Sequence, residues 1–258
     1  MHATEREDQI LKLVRERGFV SFKELDRQLS ASPATLRRDL DRLETGGLIV
    51  RVRGGAKTPG ETAELNNLLG VPFHENIARN SAAKAAIGRA AAALCRPGEA
   101  IIIDGGSTTL QMCQHLEVLE LQVLTNSLHI VSALLPQPRT RISVPAGTVF
   151  REQNIVLCPY EDDGAAHYRA SKMFLGAASV GRHGPMQVDV ILLQAERRLM
   201  DRADELVLLV DSRKFDAPAG HVLCPLNEVD IVVTDAGVSD QHRRMFEADG
   251  VQVIVAEA

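Results

Sequence analysis

The sequence predicts an α/β chain in two parts: a small three-helix module with a β-hairpin at the front, and a larger doubly wound α/β body behind it. Three observations carry this. The chain has 258 residues, enough for one large domain or two of ordinary size. Apolar residues recur at helical spacing up to about Thr45, whereas from Ser81 onward short continuous apolar runs alternate with helical segments, as strands buried on both faces require. Charge also divides: residues 1–58 hold twelve Lys and Arg against nine Asp and Glu, while the remainder holds 17 against 25. A basic head on an acidic body points to a polyanion as the partner of the head alone.

Composition excludes several classes. Hydrophobic residues make up 45% and charged residues 24%, as in globular proteins and unlike disordered or collagenous chains. No run approaches the roughly 18 apolar residues of a membrane span. The first residues, Met1 to Asp8, are polar with no apolar signal core, so a cytoplasmic chain is expected. Cys95, Cys113, Cys158 and Cys224 are too scattered for a disulfide framework and form no CxxC pair for zinc, so neither metal nor cofactor is expected. Isolated cysteines in apolar surroundings read as small buried residues.

In the head, Ile10, Leu11, Leu13 and Val14 mark a helix over 5–17 that ends at Gly18. Ser21 and Glu24 have capping-box spacing for a second helix that buries Phe22, Leu25 and Leu29. After the turn at 30–32, Ser32 suits an N-cap and Pro33 suits the first helical position, where its missing N–H costs nothing. The third helix runs to about Thr45 with Leu36, Leu40 and Leu43 inward, and Gly46-Gly47 stops it. Alternating Leu48–Val52, followed by Gly54-Gly55, reads as a hairpin. The whole is a winged helix-turn-helix. Thr35, Arg37 and Arg38 fall outside the leucine stripe, and Ser32 and Thr35 occupy the first turn, where a recognition helix enters the major groove. Guanidinium groups bind guanine edges bidentately or grip phosphates. Arg51 and Arg53 on the wing, with Lys57 after it, suit the DNA backbone or minor groove. The plainer reading makes these arginines a solvated face with ion pairs.

The head also resembles a family. Ser32-Pro33-Ala34-Thr35-Leu36-Arg37-Arg38-Asp39-Leu40, Leu43-Glu44 and Gly47-Leu48-Ile49-Val50-Arg51-Val52-Arg53-Gly54-Gly55-Ala56 look like the N-terminal signature of DeoR-type bacterial repressors. The resemblance implies operator DNA as partner.

In the body, Ser81–Cys95 reads as a helix, Ala100–Ile103 as a strand, Leu121–Thr125 as a strand, Leu128–Leu135 as a helix and Arg141–Val144 as a strand. Val188–Leu193, Leu206–Val210, Ile231–Thr234 and Val251–Val255 read as further strands. The boundaries are thus 1–57 for the head, 58–80 for a polar linker and 81–258 for the body. Asp104-Gly105-Gly106-Ser107-Thr108-Thr109 follows a strand and opens a helix, where close backbone approach, hydroxyls and a helix N-terminus suit a phosphate. It is neither a Walker loop nor GxGxxG, and a capped strand–helix turn is its plainer reading. Thr125-Asn126-Ser127, Ala146-Gly147-Thr148 with Arg151, Glu196, and Asp211 to Phe215 with Lys214 fall at or after later strand ends, where such sheets bind ligands. Each has a structural alternative: Asn126 as a cap, Glu196 and Lys214 as surface charges.

Lys84, Asp104–Thr109, Thr125–Ser127, Lys172-Met173-Phe174-Leu175-Gly176 and Asp211–Phe215 look like the C-terminal effector domain of the same family, a domain similar in fold to ribose-5-phosphate isomerase. The resemblance implies that Gly106, Ser107, Thr108 and Thr109 hold a phosphate, with Lys84 and Lys214 supplying charge. It also implies that Asn126, Arg151, Lys172 and Glu196 face a sugar. Ser107 stands where the family has Thr and keeps the hydroxyl; Ala146 stands where the family has Gly. The stretch 158–188, with His167, Tyr168 and His183, departs most, and the two histidines read as lying in a loop. An isomerase also needs a base and further acids, and its Asp-rich turn is replaced by Gly176-Ala177-Ala178-Ser179-Val180. Binding without turnover is therefore expected, with a sugar-phosphate isomerase as the alternative. The expected protein is a repressor that binds operator DNA as a dimer or tetramer, since two-fold operators need paired heads. A phosphorylated sugar or sugar acid releases it.

Overall fold

The computed structural model describes residues 3–17, 19–29, 31–45, 48–52, 55–57, 76–77, 79–151, 153–158, 163–215, 217 and 220–257. The chain falls into two compact units, residues 1–69 and 70–258.

The first unit contains α1 (Ala3–Arg17), β1 (Phe19–Ser21), α2 (Phe22–Gln28), α3 (Pro33–Thr45), β2 (Val50–Val52) and β3 (Gly55–Lys57). Its core is the apolar stripe of each helix: Ile10 and Val14 from α1, Leu25 from α2, and Leu36, Leu40 and Leu43 from α3, joined by Leu29, Val20, Ile49 and Ala56. Ser21 caps α2 by accepting the Glu24 N–H at 3.2 Å. The wing is broader than the predicted hairpin. β3 pairs antiparallel with both β2 and β1, so Phe19–Ser21 forms a third strand.

The second unit is built on a seven-stranded, all-parallel sheet. In chain order its strands are β4 (Ala100–Ile103), β5 (Gln122–Leu124), β6 (Arg141–Ser143), β9 (Ala170–Leu175), β12 (Ala203–Leu209), β14 (Ile231–Asp235) and β15 (Gln252–Ala256), arranged β15-β14-β12-β9-β4-β5-β6. Side chains alternate across the pleat. Ile102, Met173, Leu208 and Val232 enter one core, and Ile101, Ile103, Phe174, Val207 and Val233 enter the other. Burial on both faces explains the continuous apolar runs. The helices are α4 (Ser81–Ala92), α5 (Leu128–Leu134), α6 (Val190–Met200) and α7 (Asp240–Ala248). Small antiparallel pieces decorate the sheet: β7 (Thr148–Phe150) with β8 (Ile155–Leu157), and β10 (Ser179–Gly181), β11 (Gly184–Gln187) and β13 (His221–Val222). The chain adds strands to one side of β4, then returns to add β9 and the rest on the other. The β4–β9 boundary is therefore the topological switch point, where open α/β sheets bind ligands.

Three expectations are corrected. Val188–Leu193 is not a strand: Asp189 caps a helix that begins at Val190, its side chain accepting the Ile191 N–H at 2.7 Å. The run is apolar because one helix face packs on the sheet; Val190 and Ile191 are themselves exposed. The sheet strand there is instead Ala170–Leu175, read earlier only as part of a motif. The segment after Asp104–Thr108 is a 3₁₀ helix, Thr109–His115, more tightly wound and with poorer hydrogen-bond geometry than an α-helix.

Asn76 and Asn80, within the segment assigned to the linker, bond to the body: Asn76 accepts from Lys84, and Asn80 Nδ2 donates to Asp211 Oδ1 at 2.9 Å. The rest of the predicted linker, 58–75 and 78, lies outside the described residues. Cys95, Cys113 and Cys224 are buried and free, each thiol pushed up to about 12 by burial. Tyr168 packs on the core and donates to the Gln122 carbonyl at 2.8 Å, near the N-terminal strand ends; His167 is exposed. Among the described residues no helix is long and apolar enough to cross a membrane, and no cluster of three or more His, Cys, Asp or Glu could hold a metal ion.

Candidate functional site

In the head, Ser32 accepts the Thr35 N–H at 3.2 Å, and the two hydroxyls lie 2.8 Å apart, so both sit at the opening of α3. Arg37 and Arg38 are exposed, and among the described residues neither has an ion-pair partner. Arg37 lies over the Phe22 ring, 5.5 Å from its centroid, which orients the guanidinium without neutralising it. The solvated ion-pair reading applies instead to Arg51, which pairs with Asp41, while its N–H donates to Glu44 Oε1 at 3.1 Å. Arg51 thereby ties the wing to α3. Arg53 lies outside the described residues. Sequence reasoning read Asp39 as motif and missed its work. The carboxylate is fully buried, takes Arg6 Nε at 2.8 Å and Nη2 at 3.2 Å, and also pairs with Arg42.

In the body, the loop after β4 is folded by Thr109. Its buried hydroxyl accepts the Gly106 N–H at 2.9 Å and faces the carbonyls of Asp104, at 2.8 Å, and Gly106, at 2.9 Å. Thr109 thus shapes the loop, with its one hydroxyl proton directed at those carbonyls. Ser107 and Thr108 differ. Both side chains are largely buried, yet no acceptor or donor among the described residues engages either hydroxyl. Gly106 permits the close approach: a Cβ there would lie 2.9 Å from Thr109 Oγ1 and 3.9 Å from Gly176 Cα, across the switch point. Gly88 of α4 does the same behind the loop, since a Cβ would lie 2.6 Å from the Gln111 backbone.

Lys84 is 1% exposed in the first turn of α4; its ammonium donates to the Asn76 carbonyl and, at 3.2 Å, to Asn76 Oδ1. Burial lowers it to about 8; Asp211 opposes the shift while Lys214, Arg79 and Arg213 reinforce it. Lys214, just after β12, is lowered by burial against the same Asp211. A buried and a partly buried ammonium group acted on by one carboxylate leave an excess of positive charge.

Two further predicted residues follow neighbouring strands, and a third, Glu196, expected after a strand, lies instead within α6. Asp104 follows β4 and is buried, which pushes it from 3.8 to about 6. Asn126 follows β5 with its Oδ1 buried and unpartnered. Glu196, on α6, accepts Gln187 Nε2 at 2.7 Å through Oε1, while Oε2 is buried without a partner. Burial, then the Asp104 charge, holds Glu196 well above the usual carboxylate range. Gln187 went unread; only its place one residue before the misassigned run marked it.

Other predicted residues do not join the site. Thr125 accepts the Ser127 N–H at 3.1 Å and Ser127 caps α5, so both serve the turn. Lys172 sits at the opposite, N-terminal end of the sheet, 2.7 Å from Glu99 Oε1. Arg151 is exposed at the β7–β8 turn, and Gly147 packs where a Cβ would meet the Leu157 carbonyl at 2.3 Å. Beside Asn126, a small cavity of about 20 Å³ opens between Pro145, Val156, Ala195 and Leu199.

A helix-turn-helix with bare arginines on its third helix, joined to a doubly wound body with two unengaged hydroxyls at its switch point, defines a DNA-binding transcriptional regulator with a sensor domain. The chain belongs to the DeoR family: residues 79–236 match the DeoR C terminal sensor domain and residues 6–62 the DeoR-like helix-turn-helix domain. It is 28% identical over 254 residues to the HTH-type transcriptional regulator UlaR of Shigella dysenteriae, covering 98% of this chain and 99% of that protein. It is 27% identical over 254 residues, with the same coverage, to UlaR of Escherichia coli K12. Among solved structures, ribose 5-phosphate isomerase A of Methanocaldococcus jannaschii aligns with 53% of this chain and 55% of that one, at 17% identity and a TM-score of 0.40. The family and these relatives make the chain a regulator rather than a sugar-phosphate enzyme.

Proposed function

We propose that the protein is a repressor whose operator affinity falls when a phosphorylated sugar or sugar acid binds at the β4–β9 switch point, and that it works as a dimer or tetramer. The observation that carries this is the pair of unengaged hydroxyls on Ser107 and Thr108 at the switch point, in a unit that also holds the buried ammonium of Lys84 on α4 and the partly buried one of Lys214 after β12. Hydroxyl donors and partly desolvated cations together suit a phosphate dianion. Lys84 also links this site to Asn76, in the stretch leading from the head. A phosphate that takes over the Lys84 ammonium loosens that tie, and this supplies the differential contact that an allosteric effector needs. A coupling of about 1–3 kcal/mol changes operator affinity about 5- to 150-fold.

The test is fluorescence anisotropy of the full chain on DNA from its own upstream region, titrated with sugar phosphates. Release by one of them that is lost in Thr108→Val and Ser107→Ala supports the reading. DNA binding indifferent to every sugar phosphate, with no thermal stabilisation by any of them, overturns it. Size-exclusion chromatography with light scattering checks the oligomer; a monomer on and off DNA counts against paired heads.

A further inference from the structure

Arg37 is held differently from the other arginines of α3. Its guanidinium carbon lies over the ring of Phe22, 5.5 Å from the centroid, and it has no ion-pair partner among the described residues. Each carboxylate of α3 is engaged elsewhere. Asp39 takes Arg6 and Arg42, Asp41 pairs with Arg51, and Glu44 Oε1 accepts the Arg51 N–H. Asp41 stands four residues beyond Arg37, the spacing at which a helix brings opposite charges together. By occupying Asp41, the wing removes the α3 carboxylate best placed to neutralise Arg37. Arg38, next along the helix, has no ring beneath it among the described residues.

Phe22 is itself fixed in place. It opens α2 directly after Ser21, whose hydroxyl accepts the Glu24 N–H at 3.2 Å and which stands opposite Gly55 in the β1–β3 pairing. Phe22 extends the stripe of Leu25 and Leu29 but, unlike those two, is only half-buried at the rim of the head core. Packing at such a rim asks for an apolar residue, which a leucine would supply. What a leucine would not supply is the face of a ring.

We infer that Phe22 is a specificity-determining positioning residue, whose ring presets the Arg37 guanidinium to read one base pair of the operator. This rests on Arg37 contacting a base edge and names what aims it. A guanidinium on a ring face keeps both its charge and its in-plane N–H fork, so it still binds a guanine edge bidentately. A side chain ordered in the free protein loses less freedom on binding. A donor fork fixed beforehand also fits one base edge and misfits the others, which is discrimination rather than affinity alone.

The test uses the full chain and a fluorescent duplex that the wild-type protein selects from a randomised pool, with all single-base variants of that duplex, in anisotropy titrations at several salt concentrations. Phe22→Leu keeps the apolar packing and removes the ring face; Phe22→Tyr keeps both. Phe22→Leu weakens binding to the selected duplex about two- to fivefold, the range of an exposed cation–π contact. It flattens preference at the same base pair that Arg37→Ala flattens. The slope of affinity against salt stays as in the wild type, since no phosphate contact is lost. Phe22→Tyr binds and discriminates as the wild type does. Phe22→Leu adds nothing in the Arg37→Ala background and has its full effect in the Arg38→Ala background. Phe22→Met takes the place of Phe22→Leu if the latter lowers the melting transition of the head. The inference is overturned if the ring-less variant discriminates as well as the wild type, if Phe22→Tyr loses as much, or if the loss is equal in the two arginine backgrounds, as a purely structural role requires. Undiminished discrimination by Arg37→Ala instead removes Arg37 from the base contact and overturns the reading beneath the inference.

Discussion

Arg6 and Asp39, 33 residues apart, meet in a two-pronged ion pair that pins α1 to α3. Asp39 is fully buried, so the pair is structural, and it fixes the rotation of α3 that leaves Arg37 and Arg38 outward. Removing one partner leaves a buried charge uncompensated. Asp39→Ala should therefore melt the head first, lowering its transition by about 5 °C or more given the slope for a domain of this size. Differential scanning calorimetry of the full chain checks this; an unchanged head transition refutes it.

Arg37 and Arg51 should respond differently to truncation. Arg37 is exposed without an ion-pair partner among the described residues, whereas Arg51 already pairs with Asp41. Arg37→Ala should weaken operator binding by about 5- to 150-fold and relax preference at one base pair, as loss of a base contact does. Arg51→Ala should cost less affinity and more head stability. Anisotropy with single-base operator variants measures both; a larger affinity loss at Arg51 reverses the assignment.

The head was legible because its signals are local: caps, leucine spacing and glycine stops lie within a few residues of what they control. β1 was missed because three residues after a glycine look like a turn until the wing pairs with them. In the body, Lys172 hid the central strand by interrupting its apolar run; its charge is met by Glu99, 73 residues away, and at 3.8 Å by Glu205 on β12. Conversely, Val190–Leu193 reads as a strand because apolar residues in a row do not disclose their period over so short a stretch. Asp189 was the discriminating signal, since a carboxylate just before the run is a helix cap. The loop at 104–109 follows its strand as the sequence predicts, but the division of labour between Thr109 and Ser107–Thr108 depends on side-chain direction, which spacing does not encode.

Asp104 gives the unliganded sensor domain a pH dependence. Its folded value, about 6, exceeds the ordinary 3.8 because burial disfavours the charge. A raised carboxyl contributes stability below the unfolded value and loses it as pH rises through the folded one, so this contribution is present below about pH 4 and gone above about pH 6. Asp104→Asn should leave melting similar at pH 4 and be more stable than wild type at pH 7.5, by about 3 kcal/mol at most. Thermal melts from pH 4 to 8 check it; a constant difference across that range refutes the assignment.

Lys84 gives anion binding the opposite dependence. Burial lowers it to about 8, so the ammonium is charged at pH 7 and mostly neutral at pH 9. Sulfate, which does not titrate in this range, should stabilise the domain at pH 7 and much less at pH 9. Lys84→Met should remove both the stabilisation and its pH dependence. Equal sulfate shifts at the two pH values would place the anion elsewhere.

Gly88 tests whether the loop is held from behind. A methyl at this position of α4 would sit 2.6 Å from the Gln111 backbone, and backbone in a packed 3₁₀ segment cannot give way as a flexible side chain does. Gly88→Ala improves helix propensity by about 1 kcal/mol, which works in favour of stability. Overpacking costs about 1–3 kcal/mol and should prevail. The net effect should be a lower sensor-domain melting point. Sugar-phosphate binding should weaken by more than stability alone explains, because Lys84 lies one turn before Gly88 and Ser107–Thr108 lie just before the displaced segment. Head binding to DNA without effector should persist. A stabilised variant with normal effector affinity would show that α4 and the loop slide freely, and that the site does not depend on their contact.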